Sequence, residues 1–376
     1  MAELDIGENE YQQIINLMAK WLFMAIVAAT MVSCSSQKAA QANETGAESL
    51  FKRLDSLQKK GYMYGHQDDP FYGLTWEWDE NRSDVLATVG DYPAIMGFEL
   101  GGIEMGDEKN LDSVPFNRIR QELINHHERG GIVTISWHPR NPLTGGTAWD
   151  VDNNQVVKSI LPDGSEHEKF ELWMKRIGDF IATLKDKNDQ PIPIIFRPWH
   201  ENNGSWFWWG QKLCTDEEFL GLWNMLQDNF NNRGFTNLLW SYSPNIDGSM
   251  TEEIFLKRYP GNDRISLIGL DAYQWGKEED FVKQLTADLT MVSTYAKKNN
   301  KLFALTECGF KNIPDSTWWT RVLMPVLEQF KPSYFLTWRN AKHEYFAPDP
   351  NQVSAADFKK LYEADNSLFL KDIINQ

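Results

Sequence analysis

From residue 47 onward the chain repeats one pattern eight times: a short run rich in β-branched and aromatic residues, then a longer stretch of helical spacing. The short runs are Tyr62–His66, Ala94–Leu100, Ile132–His138, Ile192–Trp199, Leu238–Pro244, Leu267–Tyr273, Phe303–Cys308 and Tyr334–Arg339. Between them Phe116–Glu128, Lys169–Lys187, Asp216–Asn229, Val282–Lys298 and Ser316–Phe330 read as helices, and the tail after Asp349 reads as a closing helix. Strand followed by helix, repeated throughout, predicts parallel strands joined by crossovers. Eight such units favour a closed (β/α)8 TIM barrel over an open doubly wound sheet, as one domain over residues 47–376. No GxGxxG or P-loop pattern supports a nucleotide fold. In such barrels chemistry gathers at the C-terminal ends of the strands, so candidate residues are sought there.

The residues before the barrel read as a targeting segment. Trp21 to Val32 is an apolar run behind Lys20 and ahead of Ser33-Cys34-Ser35-Ser36. It falls short of the roughly 20 residues a spanning helix needs, and a basic flank, a short apolar stretch and small residues describe a secretory signal. Met31-Val32-Ser33-Cys34 resembles a loose bacterial lipobox, which makes 1–34 a signal peptide, Cys34 the lipidated first mature residue and 35–46 a polar tether. The acidic stretch Met1 to Gln13 suits a signal poorly, so Met18 is an alternative start; an uncleaved or amphipathic anchor is the competing reading. Ser35-Ser36-Gln37-Lys38 lacks the acidic cluster of surface-exported lipoproteins, which favours an outer-membrane lipoprotein facing the periplasm. Cys214 and Cys308 remain, their pairing open, and the chain has no CxxC pattern for a thiolate zinc site.

A formal charge of −16 with no dense Lys/Arg run excludes nucleic acid as a partner. Many of the 16 Trp sit among Gly, Asn and Asp rather than in apolar runs. Such placement suits exposed ring faces that stack on the C–H faces of sugars, although barrel cores also use Trp as filler.

The fourth run ends in Arg197-Pro198-Trp199-His200-Glu201, and alternation puts Arg197, Trp199 and Glu201 on one face, the barrel interior. The seventh ends in Leu305-Thr306-Glu307-Cys308-Gly309, with Glu307 inward and Cys308 toward the helices. A carboxylate pointing into a packed barrel top is costly unless it is partnered or used. Glycoside cleavage uses two, one to protonate the leaving oxygen and one to attack the anomeric carbon, about 5 to 5.5 Å apart in retaining enzymes. The plainer alternative makes either Glu an ion-pair partner for an interior Arg.

Arg197-Pro198-Trp199-His200-Glu201, followed by Trp206, resembles the acid/base segment of glycoside hydrolase family 26, the clan A β-mannanases. Thr306-Glu307-Cys308-Gly309-Phe310 resembles that family's nucleophile segment, and Gly65-His66-Gln67, Ser136-Trp137-His138-Pro139 and Trp338-Arg339-Asn340 also fit it. The resemblance covers residues 50–376. It implies a retaining endo-β-1,4-mannanase with Glu201 as acid/base and Glu307 as nucleophile. It further implies that His138 and His200 hydrogen-bond the −1 sugar, that Tyr273 orients Glu307, that Trp338 floors −1 and that Trp206 lines +1. His200 stands where most clan members have Asn. His66, Arg197 and Arg339 are further substrate-binding candidates. Walled by Trp199 and Trp206, Glu201 is expected to favour its protonated form, whereas Tyr273 and Arg197 beside Glu307 favour an anion.

No cofactor or metal is expected, and a monomer acting on β-mannan or manno-oligosaccharides is. A metal hydrolase could draw on His66, His138, His200 and His343, but His126-His127-Glu128 lacks HExxH spacing. A non-catalytic sugar-binding lipoprotein would not require two converging carboxylates. Within the family, β-1,3-1,4-glucanase and β-1,3-xylanase activities share the catalytic frame.

Overall fold

Eight parallel strands pair in chain order and close on themselves: β1 (Tyr62–Gln67), β2 (Ile95–Glu99), β3 (Ile132–Trp137), β4 (Ile194–Pro198), β5 (Leu238–Tyr242), β6 (Leu267–Gln274), β7 (Leu302–Phe310) and β8 (Tyr334–Thr337). Closure comes from β1, which pairs with β8 on one side and β2 on the other. The structure is a computed structural model that describes residues 44–374, and from Gly46 on the chain forms one compact unit. The expected signal, the expected lipidation residue Cys34 and most of the expected tether lie outside the described residues. A ninth strand, β9 (Ser367–Leu368), was not expected from the sequence. It takes the edge of Tyr62 and Met63 that β2, starting opposite Gly65, leaves open.

Helix Phe116–Glu128 falls where its spacing predicts. Asp216–Asn232 is fixed at its start by a capping box, in which the Thr215 hydroxyl accepts from Glu218 N while the Glu218 carboxylate accepts from Thr215 N. Helix Glu278–Lys298 begins four residues earlier than its apolar pattern, because Glu278, Glu279 and Asp280 fill the first turn, where the helix dipole favours negative charge. The expected helix Ser316–Phe330 splits into a π-helical turn, Trp319–Leu323, and an α-helix, Met324–Phe330. Pro325 lies at that junction; it has no N–H to donate, and its ring crowds the preceding turn. The closing helix is Ala355–Tyr362.

Two apolar layers follow from strand alternation. Met63, Ile95, Ile132, Ile195, Leu239, Leu267, Leu302 and Leu336, one from each strand, share one cluster with Leu50, Leu54 and Leu57 of helix Gly46–Gln58. Residues from all eight strands can meet only inside the barrel, so that helix closes its floor. Leu336 fits because Gly65 faces it; a Cβ there would lie 3.1 Å from the Leu336 side chain. Truncating Leu336 to Ala would cost about 2–5 kcal/mol. The second, larger cluster lies between barrel and helices.

Two departures from regular strand position the top of the barrel. Leu270 pairs with Leu305 but Asp271 with Glu307, and on the other side Phe335 pairs with Leu305 but Thr337 with Cys308. Thr306 is therefore the extra residue of a β-bulge. Ala304 belongs to the interior cluster, and Leu305 and Cys308 to the outer one, while Thr306 and Glu307 both reach inward to the partners described below. The second departure follows Pro198. Trp199 and Glu201 take positive φ, 53° and 51°, which breaks the alternation expected there. Trp199 does not share an inward face with Glu201. It packs in the outer layer, 5.0 Å from Trp137 and 6.1 Å from Phe170 between ring centroids.

Candidate active site

Left-handed backbone at a non-glycine residue costs about 1–3 kcal/mol, and here packing and hydrogen bonds hold it. Four aromatic neighbours enclose Trp199. Glu201 N donates to Ser243 O at 2.7 Å, and Gly204 N donates to Glu201 O at 2.9 Å. The turn carries Glu201 back over the barrel mouth, where its Oε2 accepts from Trp206 Nε1 at 2.5 Å.

Glu307 approaches from β7. Tyr273 Oη donates to its Oε2 at 2.6 Å, and Arg197 donates to its Oε1. Arg197 also donates to Asp271 Oδ2 at 3.0 Å, and Asp271 Oδ1 accepts from Thr306 Oγ1 at 2.7 Å. Arg197, Asp271, Thr306 and Glu307 are buried, and Tyr273 is half-buried. Burial disfavours the Arg197 charge, but Asp271 and Glu307 outweigh it and hold the guanidinium firmly protonated. Burial drives Asp271 upward against the opposing pull of Arg197.

Carboxylate oxygens of Glu201, Asp271 and Glu307 lie within 4.8 Å of one another. Arg197 already bridges two of these carboxylates, so the positive charge such a cluster calls for is built into the chain. Among the described residues no histidine joins a cluster of this kind. Burial, then the charge of Glu307, pushes Glu201 up to about 7. A proton-bearing carboxyl thus stands beside one that receives two donors, a pairing of acid and nucleophile suited to acetal chemistry.

A histidine pair forms another wall. His138 Nε2 and His200 Nε2 are 2.9 Å apart, and His138 Nδ1 meets Glu99 Oε2 at 2.8 Å. Glu99 also accepts from Ser136 Oγ, Gly101 N and His138 N. Burial opposes a charged His138, but Glu99 more than compensates and raises it; burial, then Arg197 and His138, pushes His200 well below its ordinary value. Both shifts favour a charge on His138 over one on His200.

Glu201, Glu307, His138, His200, Trp206, Tyr273 and Trp338 line one cleft of about 530 Å³. Three residues named with them from the sequence stand elsewhere. Arg197 is beneath the cleft rather than in its wall. His66 is buried, with Nδ1 2.7 Å from Asp69 Oδ1. Arg339 is half-buried, ion-paired with Asp112 at 2.9 Å and set over the Tyr72 ring. Cys214 and Cys308 are free and buried and do not pair.

Sequence reading passed over Glu99 and Asp271, although both are strand-end carboxylates, the signal that singled out Glu201 and Glu307. It also passed over Trp149, which stacks on His138 with centroids 5.4 Å apart, and Trp275, which stacks on Tyr273 at the same spacing. Trp149, Trp206 and Trp275 are 48%, 40% and 70% exposed, three bare rings around one cleft.

The model of the family described as Glycosyl hydrolase family 26 matches residues 39–372. The fold superposes on a GH26 β-mannanase from Bacteroides ovatus with a TM-score of 0.85 and 45% identity, covering 87% of this chain and 95% of that one. It superposes on the catalytic domain of a GH26 endo-β-1,4-mannanase from Bacillus sp. JAMB-750 at 0.79 and 31% identity, covering 88% and 92%. A mannan endo-1,4-β-mannosidase of Bacillus subtilis is 29% identical over 343 residues, 87% of each chain. One of Bifidobacterium adolescentis is 30% identical over 347 residues, but the match spans 34% of that longer protein.

Proposed function

Because this chain belongs to glycosyl hydrolase family 26, we propose that it cleaves internal β-1,4-mannosidic bonds with retention, using Glu201 as acid/base and Glu307 as nucleophile. One observation carries the assignment: oxygens of the two carboxylates approach within 4.8 Å. An inverting pair stands roughly 6.5–9.5 Å apart to admit a water, and a retaining pair does not need that room.

In the first step Glu201 gives its proton to the glycosidic oxygen as the C1–O bond breaks. Glu307 attacks C1 and forms a glycosyl ester. In the second, Glu201, now a carboxylate, takes a proton from a water that attacks C1, and the Glu307 ester is released. Arg197 and Tyr273 position the nucleophile. His138 and His200 face the −1 sugar over Trp338 and hydrogen-bond it by exchanging their mutual Nε2 contact for its hydroxyls, and Trp206 receives the leaving sugar. The similarity to enzymes named mannan endo-1,4-β-mannosidase supports mannan as substrate.

Product analysis on linear mannan, galactomannan and lichenan tests the reading. Manno-oligosaccharides from the first two are expected; cleavage of lichenan alone would replace it with the glucanase activity. The N-terminal sequence further supports export as a lipoprotein, anchored through Cys34 on the periplasmic side of the outer membrane, and we propose that it acts as a monomer. Incorporation of labelled palmitate that survives Cys34→Ala would refute that anchor.

A further inference from the structure

A second cavity, of about 440 Å³, lies beside the catalytic cleft, lined from the loops that follow β4 and β5. Asn203 lines this cavity and Asn245 lines the cleft. The Asn203 side chain is tied to the Asn245 backbone across their shared wall, Asn203 Nδ2 donating to Asn245 O at 2.7 Å and Asn245 N to Asn203 Oδ1 at 2.8 Å. The wall is thus about one residue thick.

We propose that this cavity is a saccharide subsite on the leaving-group side, taking either a backbone sugar distal to the cleaved bond or a branch sugar. The proposal rests on the hydrolase reading above. Its side is set by the chain itself. Glu201, which protonates the departing oxygen, begins the loop that also supplies Asn202, Asn203, Gln211 and Lys212 to the cavity. A polymer leaving over Trp206 and Asn245 meets the cavity next.

Its chemistry suits a neutral, hydroxyl-rich ligand. Gln211 and Lys212 present exposed donors, while Met250 and Pro244 offer apolar surface to a sugar face. Asn202 is buried in the wall with its carbonyl accepting from Tyr242 at 3.1 Å and its Nδ2 unpartnered, a donor that gains from any acceptor brought near. An anion finds less. Arg258 is already committed to Asp216 and to the carbonyls of Asn202, Trp209 and Cys214, and Asp247 offsets part of the charge that Lys212 and Lys257 bring to the lining.

The test is the double variant Gln211→Ala, Lys212→Ala in the full chain, with kcat/KM measured on three substrates. These are an aryl β-mannobioside, whose leaving group ends at the aryl ring, linear mannohexaose, and a galactosylated manno-oligosaccharide. No change is expected on the first. A loss of about tenfold on both oligosaccharides identifies a backbone subsite, and a loss on the galactosylated one alone a branch subsite. Equal kinetics of variant and wild type on all three overturns the proposal. A wild-type enzyme that cleaves none of them overturns the mannanase reading instead, and the same comparison then runs on the β-glucan it does cleave.

Discussion

Trp206 donates its indole N–H to Oε2 of Glu201 across 2.5 Å, so the ring proposed to receive the leaving sugar also holds the group that would protonate it. This bond favours the ionised carboxylate and pulls Glu201 below where burial and Glu307 would set it. Trp206→Phe keeps a ring but removes the donor. The alkaline limb of the kcat/KM profile should move upward and activity fall about tenfold; a limb that moves downward would contradict the assignment.

Glu307→Ala and Glu201→Ala should separate by leaving group. The first removes the atom that bonds to C1, and turnover on mannan and on aryl mannosides alike should drop by about four orders of magnitude or more. The second removes only proton transfer, worth about 10²–10⁴. Dinitrophenyl substrates, which leave without a proton, should recover most of the loss in kcat/KM in Glu201→Ala, with kcat still low because the ester lacks its base, and none in Glu307→Ala. Parallel losses would remove the distinction of roles.

Glu201 also links activity to stability. Its carboxyl is raised from 4.5 to about 7 in the fold, so the fold favours the protonated form. That contribution is whole below the ordinary carboxyl range and is lost as pH rises through about 7. Glu201→Gln, a permanent mimic of the protonated form, should therefore gain thermal stability relative to wild type between pH 5 and pH 8. Melting curves at the two pH values that keep a constant difference would refute the raised carboxyl.

Glu99 acts through His138 and does not line the cleft. Its replacement by Gln removes the charge that raises His138 while leaving the volume intact. The His138 imidazole resonance should titrate at lower pH, and kcat should fall by about one to two decades. A fall in kcat with an unmoved imidazole titration would make Glu99 a merely structural residue.

Trp275, at 70% exposure, contributes little to the core, yet its ring extends the Tyr273 face at the edge of the cleft. Trp275→Ala should leave the melting temperature and aryl mannobioside hydrolysis unchanged and raise KM several-fold on polymeric mannan. The factor corresponds to one sugar stack of about 1 kcal/mol. An unchanged KM on the polymer would deny the ring a substrate.

The barrel was legible because its signal is repeated. Eight apolar runs at regular spacing average out local noise, and each run became a strand. Glu201 and Glu307 were legible because a strand-end carboxylate is conspicuous among apolar neighbours. What alternation could not supply was the path of the backbone. Trp199 reads as the inward neighbour of Glu201 until a left-handed turn sends it into the helix layer, and nothing in Trp-His-Glu announces a positive φ. Arg197 was legible as an inward residue and as a partner of Glu307, whereas His66, named as a substrate-binding candidate, lies on the other face of β1 from interior Met63 and Gly65. Whether such a group meets ligand or another side chain depends on partners such as Asp271, which arrives from distant sequence, and Asp69, which is near in sequence but is placed by the turn after β1. The Trp275 and Trp149 rings were visible only in aggregate, as an excess of Trp in polar surroundings.

The bulge at Thr306 bears on how densely a barrel can furnish its mouth. A regular strand turns every second side chain toward the helices, so eight ideal strands offer one inward group per strand at each level. With one extra residue, β7 delivers two consecutive groups to the same chamber, Thr306 to steady Asp271 and Glu307, the proposed nucleophile. An idealised redesign that deleted Thr306 would keep the sheet continuous and leave Glu307 facing inward, yet Asp271 would lose its hydroxyl donor and Arg197 a firmly held partner. Irregular backbone at this point, rather than added loop, is what gives the site its population of functional groups.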